Sequence, residues 1–596
     1  MPDFKLLLKT KITQQFSTNS SLSFAKKYHT FWLYLSLFFS AFYSHFALQE
    51  AFSQKYIIQD DARQHVFWMA RFVDAELFPK DIIADYFQES APIGYTKLYQ
   101  FFALLGIDPI LLHKLLPFVL GLIATLYIFR LTLEILPLPF AGFSAAIFLN
   151  QSLWTRDDLV SATPAAFAVP FLCCFLYYYI KEKKLQTLFC MGLLGLFYPQ
   201  CLLLAAGLVG LRLFRFGQRK LYLSTEKDDY VWILSAGLVT LIVLLPYLIY
   251  PSPFGEVITK VEAKKLPVFS SKGWSAFFNP EPMQYWFCGK RSGFIPTDWC
   301  RLYRRGFELL PPQVFLCFLL PVVLQFFKKL SFSLEFYPQK GLLIRNFALI
   351  SLGFFLLAHA VAFKLHLPNR YTEHSFKIIF AVGAAISLAI GLITLLHQRS
   401  VLTHKLITTT FLLLIIIYLP VGYPMLLNAS GYTFPSSDYI EGKYPELYDF
   451  LKKQQKDSLV ASLVPEANNL PSFTHRSILV GGSGYALPYH PEFFAEMEKR
   501  TIALIQAQYS SDFEEVSNFI NQYGIDFWLV DKSAFTEEYI QQDEWLKAFA
   551  HHINPQELLN YKKTAIVGKS LESCGVIQKE SLVLIDVKCL MRVNQS

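Results

Sequence analysis

The sequence predicts an α-helical polytopic membrane protein that ends in a small α/β domain. Three observations predict it. Of the 596 residues, 53% are hydrophobic and 17% charged, against about 25% charged in a soluble domain. Apolar stretches near the roughly twenty residues that a bilayer core demands recur between Phe31 and Leu427. Beyond Asn428 they stop, and short apolar runs alternate with amphipathic ones.

Residues 1–30 read as a cytoplasmic tail, because Lys5, Lys9, Lys11, Lys26 and Lys27 precede the first span, Phe31–Leu48. The basic stretch is long and no small-residue cleavage motif follows, so this span is read as uncleaved rather than as a signal peptide. An external loop at 49–110 carries an apolar stretch near Tyr95–Leu105, too short to cross and suited to the interface. Leu111–Leu133, Leu138–Leu153 and Leu159–Ile180 cross next, and Lys181, Lys183 and Lys184 mark a cytoplasmic turn. Leu185–Leu211 is long for one span and short for two, with basic residues on both flanks and Pro199 near its middle. A helical hairpin with its tip at Tyr198–Pro199–Gln200 returns the chain to the same side, provided protein or water satisfies the broken backbone.

Val231–Tyr250 leads out to a second external loop, 251–307, rich in Trp, Phe and Pro. Glu308–Phe327, Leu342–Phe363, Ser375–Leu396 and Leu406–Leu427 complete the bundle, with Arg399 and Lys405 bracketing the last inside turn. Counting both hairpin arms, residues 31–427 hold about eleven transmembrane helices. The odd count places residues 428–596 opposite the cytoplasmic N-terminus. In that domain Tyr444–Gln455, Phe513–Tyr523 and Gln542–His551 read as helices. Ser477–Val480, Phe527–Val530 and Leu582–Val587 read as buried strands, the last entered by a turn at Lys579–Glu580.

The net charge of +8 reflects Lys and Arg in tails and loops, as the positive-inside rule requires, and no nucleic-acid motif accompanies it. Cys173, Cys174, Cys190, Cys201 and Cys317 fall in apolar spans and read as small buried hydrophobes. The other four face an oxidising compartment if the topology holds, and none has zinc-site spacing. Two local disulfides are allowed, Cys288–Cys300 and Cys574–Cys589; four reduced cysteines are the alternative.

The topology gathers unusual polar residues on the external side: Asp60, Asp61, Arg63 and His65; Arg156, Asp157 and Asp158; Tyr198 and Gln200; and Asn369, Arg370, Tyr371, Glu373 and His374. Each alone is accounted for by a solvated loop or a headgroup anchor. Together, at the mouth of an apolar bundle, they mark a functional site. Glycosyl transfer needs a carboxylate to orient or deprotonate the acceptor, a role for Asp61 or Asp60. It also needs positive charge at a departing phosphate, a role for Arg370 with Arg156 or His374. Asp60 and Asp61 suit a hard divalent cation such as Mg2+ or Mn2+, though two residues do not make a metal site.

These motifs resemble the GT-C superfamily of integral-membrane glycosyltransferases, in particular a large bacterial branch common in cyanobacteria. The resemblance rests on Asp60–Asp61 within Gln59–Asp60–Asp61–Ala62–Arg63–Gln64–His65, on Arg156–Asp157–Asp158 and on the broken tip Tyr198–Pro199–Gln200. It covers roughly residues 30–430 in topology, plus an extracytoplasmic C-terminal domain. It implies a polyprenyl-phosphate-linked sugar donor, an inverting transfer to a glycan, lipid or protein acceptor, a first acidic loop that organises catalysis, and a place in the bacterial inner (plasma) membrane. The C-terminal domain departs from the pattern by lacking an oligosaccharyltransferase-type motif, which argues against sequon glycosylation. Two other classes compete: a lipid-linked glycan transporter or flippase, and a noncatalytic envelope polysaccharide assembly protein. Against the transporter, the charges sit at span ends and no inverted repeat is visible.

The topology predicts Lys26 and Lys183 in the cytoplasm and Asp61, Trp274 and Asp526 outside. Single cysteines at these positions, labelled in intact cells, check it. A cysteine at 526 that labels only after lysis contradicts the odd count.

Overall fold

The computed structural model describes residues 22–217, 220–329, 338–397, 417–482, 484–536, 538–539, 544–549 and 564–595. Two compact units emerge. The first comprises residues 1–50, 114–249 and 281–438, and the second residues 51–113, 250–280 and 439–596.

The first unit is helical. Its main helices are α1 (Leu22–Ala51), α2 (Pro109–Ile135), α3 (Pro139–Trp154), α4 (Ala168–Ile180), α5 (Lys184–Phe197), α6 (Pro199–Gly210), α7 (Lys227–Ile249), α8 (Thr297–Arg305), α9 (Pro338–Ala360) and α10 (Arg370–His397). Five of these, α1, α2, α7, α9 and α10, are long and apolar enough to cross a bilayer. α10 is the bundle's axis, with 83% of its spanning window buried, whereas α7 keeps 11% buried and presents Leu234, Leu238 and Ile242 outward.

α3 shows how polar groups survive in this setting. Every residue from Phe140 to Trp154 is buried. Asn150 donates to Thr125 Oγ1 at 2.7 Å, and Gln313 donates to Ser152 Oγ at 2.6 Å. Side-chain hydrogen bonds between helices are the means available where no water competes. Gly142 lets α3 approach α2, because a Cβ there would lie 2.9 Å from the Phe129 ring.

The described residues therefore hold five helices of full spanning length, fewer than the eleven expected, and the reasons are local. The run Leu159–Ile180 breaks at Pro164 into a 3₁₀ turn (Pro164–Phe167) and the thirteen-residue α4. Glu308–Phe327 divides into Pro312–Phe318 and Leu320–Lys329. Leu185–Leu211 is two helices broken at Tyr198, with φ −150° and ψ 82°. They fold back on one another, since a Cβ at Gly195 would lie 2.7 Å from Leu202. Most of Leu406–Leu427, with Arg399 and Lys405, lies outside the described residues, as do Lys5, Lys9 and Lys11 of the tail.

The second unit is α/β. Strands β1 (Leu459–Ser462), β2 (Ser477–Ile478), β3 (Phe527–Asp531), β4 (Gly575–Lys579) and β5 (Leu582–Asp586) form one sheet in the order β2–β1–β3–β5–β4. β2, β1 and β3 run parallel, and β3, β5 and β4 antiparallel. β3 and β5 are buried along four consecutive residues each, the pattern of strands covered on both faces. Helix Phe513–Tyr523 is capped by Asp512, which accepts from Glu514 N at 2.9 Å, and stops at Gly524, whose φ of 69° suits glycine. The segment after α1 joins this unit: Ile57–Gln59 pairs antiparallel with Tyr439–Glu441. Of the expected helix Gln542–His551, Glu544–Ala548 lies in the described residues.

A disulfide closes a loop in each unit, Cys288–Cys300 in the first and Cys574–Cys589 in the second. Replacing Cys574 and Cys589 with Ser should lower the stability of the α/β unit by about 2–4 kcal/mol. Urea unfolding followed by the fluorescence of buried Trp528 reads that loss as an earlier midpoint.

Candidate functional site

In the first unit the chain assembles a buried ionic cluster from three distant stretches. The turn after α3 supplies Arg156, Asp157 and Asp158. The start of α8 supplies Asp298. The first two turns of α10 supply Glu373 and Lys377, which share a helix face at i, i+4. Arg156 lies 3.0 Å from Glu373, 3.4 Å from Asp158 and 3.7 Å from Asp157. Lys377 lies 3.6 Å from both Asp298 and Glu373 and 4.0 Å from Asp158. Glu373 also accepts from Thr297 N and Thr297 Oγ1 at 3.1 Å, and Thr155 Oγ1 donates to Asp298 at 3.1 Å.

The pairs decide which carboxyls carry charge. Burial pushes Asp158 up, but Arg156 and Lys377 outweigh it and hold this carboxyl well below the usual carboxylate range. Burial raises Asp298, with Lys377 opposing, and burial with the neighbouring Asp158 raises Asp157.

Arg370, unlike Arg156, makes no ion pair among the described residues, although Nη1 of Arg156 also lacks a hydrogen-bond partner. Its Nε and Nη1 atoms are buried and have no hydrogen-bond partner, and Nε2 of His374, one turn further along α10, is in the same condition. The edge of the His374 ring meets Tyr198 at the break of the α5–α6 hairpin, centroids 5.2 Å apart. Oε1 of Gln200, beside that break, is also buried without a partner. Asn369 donates to Lys290 O at 2.9 Å, fixing the disulfide-closed loop against the start of α10. Tyr371 points away from this chemistry: its hydroxyl donates to Leu365 O at 2.9 Å and its ring stacks on Phe354.

Asp60, Asp61, Arg63 and His65 belong to the second unit, on the short helix Asp60–His65. Arg63 donates to Asp60 at 2.6 Å and to Asn469 at 2.7 Å, and Asn469 donates to Glu466 at 2.7 Å. Ser472 and Tyr485 hydroxyls donate to Arg63 O at 3.0 and 3.1 Å. The acidic pair is thus bolted to residues 466–485 of the α/β domain. Asp60 and Asp61 offer two carboxylates, one already paired with Arg63. Among the described residues no three His, Cys, Asp or Glu side chains are arranged to hold a metal ion. Two carboxylates, one of them held by Arg63, do not hold a cation by themselves.

Asp298 and Lys377 were not among the residues singled out from sequence. Lys377 had a readable signal, a lone lysine inside the apolar run Ser375–Leu396. Asp298 had none, since only folding brings it to Lys377.

Comparison of the sequence with family models and with curated proteins returns no match. Solved structures do resemble it. The oligosaccharyltransferase of Archaeoglobus fulgidus in its apo form matches with a TM-score of 0.52 at 11% identity, over 88% of this chain and 72% of that one. The same enzyme, AglB, in complex with an inhibitory peptide and a dolichol-phosphate gives 0.52 at 12% identity, over 91% and 72%. The chain shares the fold of this archaeal oligosaccharyltransferase. ArnT from Cupriavidus metallidurans bound to undecaprenyl phosphate aligns over 93% of this chain and 98% of its own, at 12% identity and a TM-score of 0.46. With this fold and five helices of spanning length, the chain is an integral membrane protein.

In the second unit the His65 ring packs edge-on to Phe87 at 5.2 Å, and burial brings its pKa down to about 4. The unfolded chain binds a proton at this residue below about 6.5 while the folded chain does not, so folding loses stability as pH falls from about 6.5 through about 4. The loss should reach about 2–3 kcal/mol from this group. His65→Gln should remove that part of the slope in urea unfolding curves recorded across the same range.

Proposed function

We propose that this chain is a GT-C glycosyltransferase and transfers a sugar from a polyprenyl-phosphate-linked donor to an extracytoplasmic glycan, lipid or protein. The observation that carries this reading is Arg370, whose buried Nε and Nη1 donors have no partner, next to His374 in the same state. An unpaired buried guanidinium is costly. A phosphate answers it with charge and a matching fork of acceptors. The shared fold supports the choice, as does the dolichol-phosphate held by the archaeal enzyme.

In this reading Arg370 and His374 hold the donor phosphate and stabilise the charge that gathers there as the glycosidic bond breaks. Asp61, with Asp60 as the other candidate, takes the proton of the attacking acceptor hydroxyl or amine. The ring carbon is attacked from the face opposite the leaving phosphate, so its configuration inverts. Arg156, which has Asp157, Asp158 and Glu373 within 4 Å and a buried Nη1 without a hydrogen-bond partner, is the further candidate for the donor phosphate. The proposal extends to the bacterial, cyanobacterial-type branch, a bundle of about eleven crossings with the hairpin arms counted, a cytoplasmic N-terminus, an extracytoplasmic α/β domain and a role in envelope polysaccharide. The two disulfides support the outside placement of their loops. A flippase is the second reading, favoured by the broken α5–α6 hairpin.

Mass spectrometry of copurifying lipids tests the substrate: a polyprenyl-phosphate sugar is expected. Arg370→Lys keeps the charge and loses the fork, so donor affinity should fall about 10–100-fold. Asp61→Asn should cut transfer by at least about 100-fold and leave donor binding intact. Donor turnover by folded Asp61→Asn protein at the wild-type rate removes Asp61 as the base, and flipping without transfer selects the second reading.

A further inference from the structure

α4 and α5 are joined by the turn 181–183, and each carries a cysteine six residues from it. Cys174 and Cys190 are therefore opposite one another across an antiparallel helix pair. Their sulfurs are 3.0 Å apart, closer than non-bonded sulfurs ordinarily rest, while both thiols remain free. Packing alone does not require this approach. A cysteine used only as a small hydrophobe, as Cys173 and Cys201 are, fills space without meeting a second sulfur.

The surroundings define what can react there. Cys190 is 1% exposed and Cys174 9%, so Cys174 is the sulfur within reach. Both lie among apolar side chains of the bundle, where a charged oxidant is excluded and an apolar one dissolves. The Tyr127 hydroxyl is within hydrogen-bonding reach of Cys174 and is bonded to the Tyr178 hydroxyl at 3.2 Å. Two linked hydroxyls give a departing thiol proton somewhere to go.

We propose that Cys174 and Cys190 are a membrane-embedded dithiol that a quinone oxidises to a disulfide. The two S–H bonds break and one S–S bond forms. The sulfurs give up two electrons and two protons, and the quinone takes both pairs on its oxygens to become a hydroquinone. The bond ties α5 to α4, and α5 ends at Tyr198, whose ring meets His374. Oxidation thus fixes one arm of the hairpin whose tip reaches the Arg370 region.

The test treats the full chain, in lipid nanodiscs, with a fully ring-substituted short-chain benzoquinone, which has no open ring carbon for a thiol to add to, then denatures it, alkylates free thiols and maps peptides without reductant. A Cys173→Ala, Cys201→Ala background makes the assignment unique, and wild-type protein is run beside it. The expected result is a peptide carrying Cys174 crosslinked to the peptide carrying Cys190, lighter by two hydrogens and restored by dithiothreitol. In Cys190→Ser protein Cys174 should alkylate fully. Full alkylation of both cysteines after quinone treatment of wild-type protein overturns the proposal. So does a crosslink that forms with peroxide but never with quinone.

Discussion

The structure of the helical unit depends on one constraint, the mutual neutralisation of Arg156, Asp158, Asp298, Glu373 and Lys377. Each is expensive to remove from water and has an opposite charge within 4.0 Å; attraction outweighs burial at Asp158, whereas burial outweighs it at Asp298. Glu373 is the hub. It is fully buried, meets both cations and accepts from Thr297. Through it the turn after α3, the N-terminus of α8 and the start of α10 share one position. The loop closed by Cys288–Cys300 enters the same arrangement, because Thr297 and Asp298 lie just before its second sulfur.

That constraint separates two arginines that look alike in sequence. Arg156 has three carboxylates within 4 Å, two of them shared with Lys377. Arg370 is placed beside the cluster with donors unspent. The acidic helix of the second unit follows the same logic on a smaller scale. Arg63 pairs with Asp60 and Asn469 on the helix that also carries Asp61. In both units an ion pair fixes the local frame: Arg156 with Glu373 in one, Arg63 with Asp60 in the other.

Much of the fold was legible because its signals are local. Pro199 marks the broken hairpin, and Asp512 with Gly524 brackets a helix. The span count was less legible, since hydropathy does not distinguish an apolar helix buried by protein from one bathed in lipid. α3 is apolar because other helices enclose it, and Thr163–Pro164 ends what looked like a continuous run. Strand β1 escaped notice because Leu459–Ser462 is four residues long and owes its strand conformation to β2 and β3 on either side. Of the ionic cluster, Arg156–Asp158 and Glu373 stand out in sequence as charges at span ends. Asp298 does not, because its importance lies in a partner far along the chain.

The spacing of the cluster along the chain bears on how the protein is made. Arg156, Asp157 and Asp158 leave the ribosome roughly two hundred residues before Glu373 and Lys377, a wait of about 10–40 s at ordinary synthesis rates. During that interval the finished partners do not exist, and an isolated arginine at the end of an apolar helix would resist its final burial. The Arg-Asp-Asp order supplies an answer within three residues, because Arg156 meets both following carboxylates on its own turn. The two aspartates are thus the counterions nearest to Arg156 along the chain, and the folded protein keeps both beside it together with Glu373.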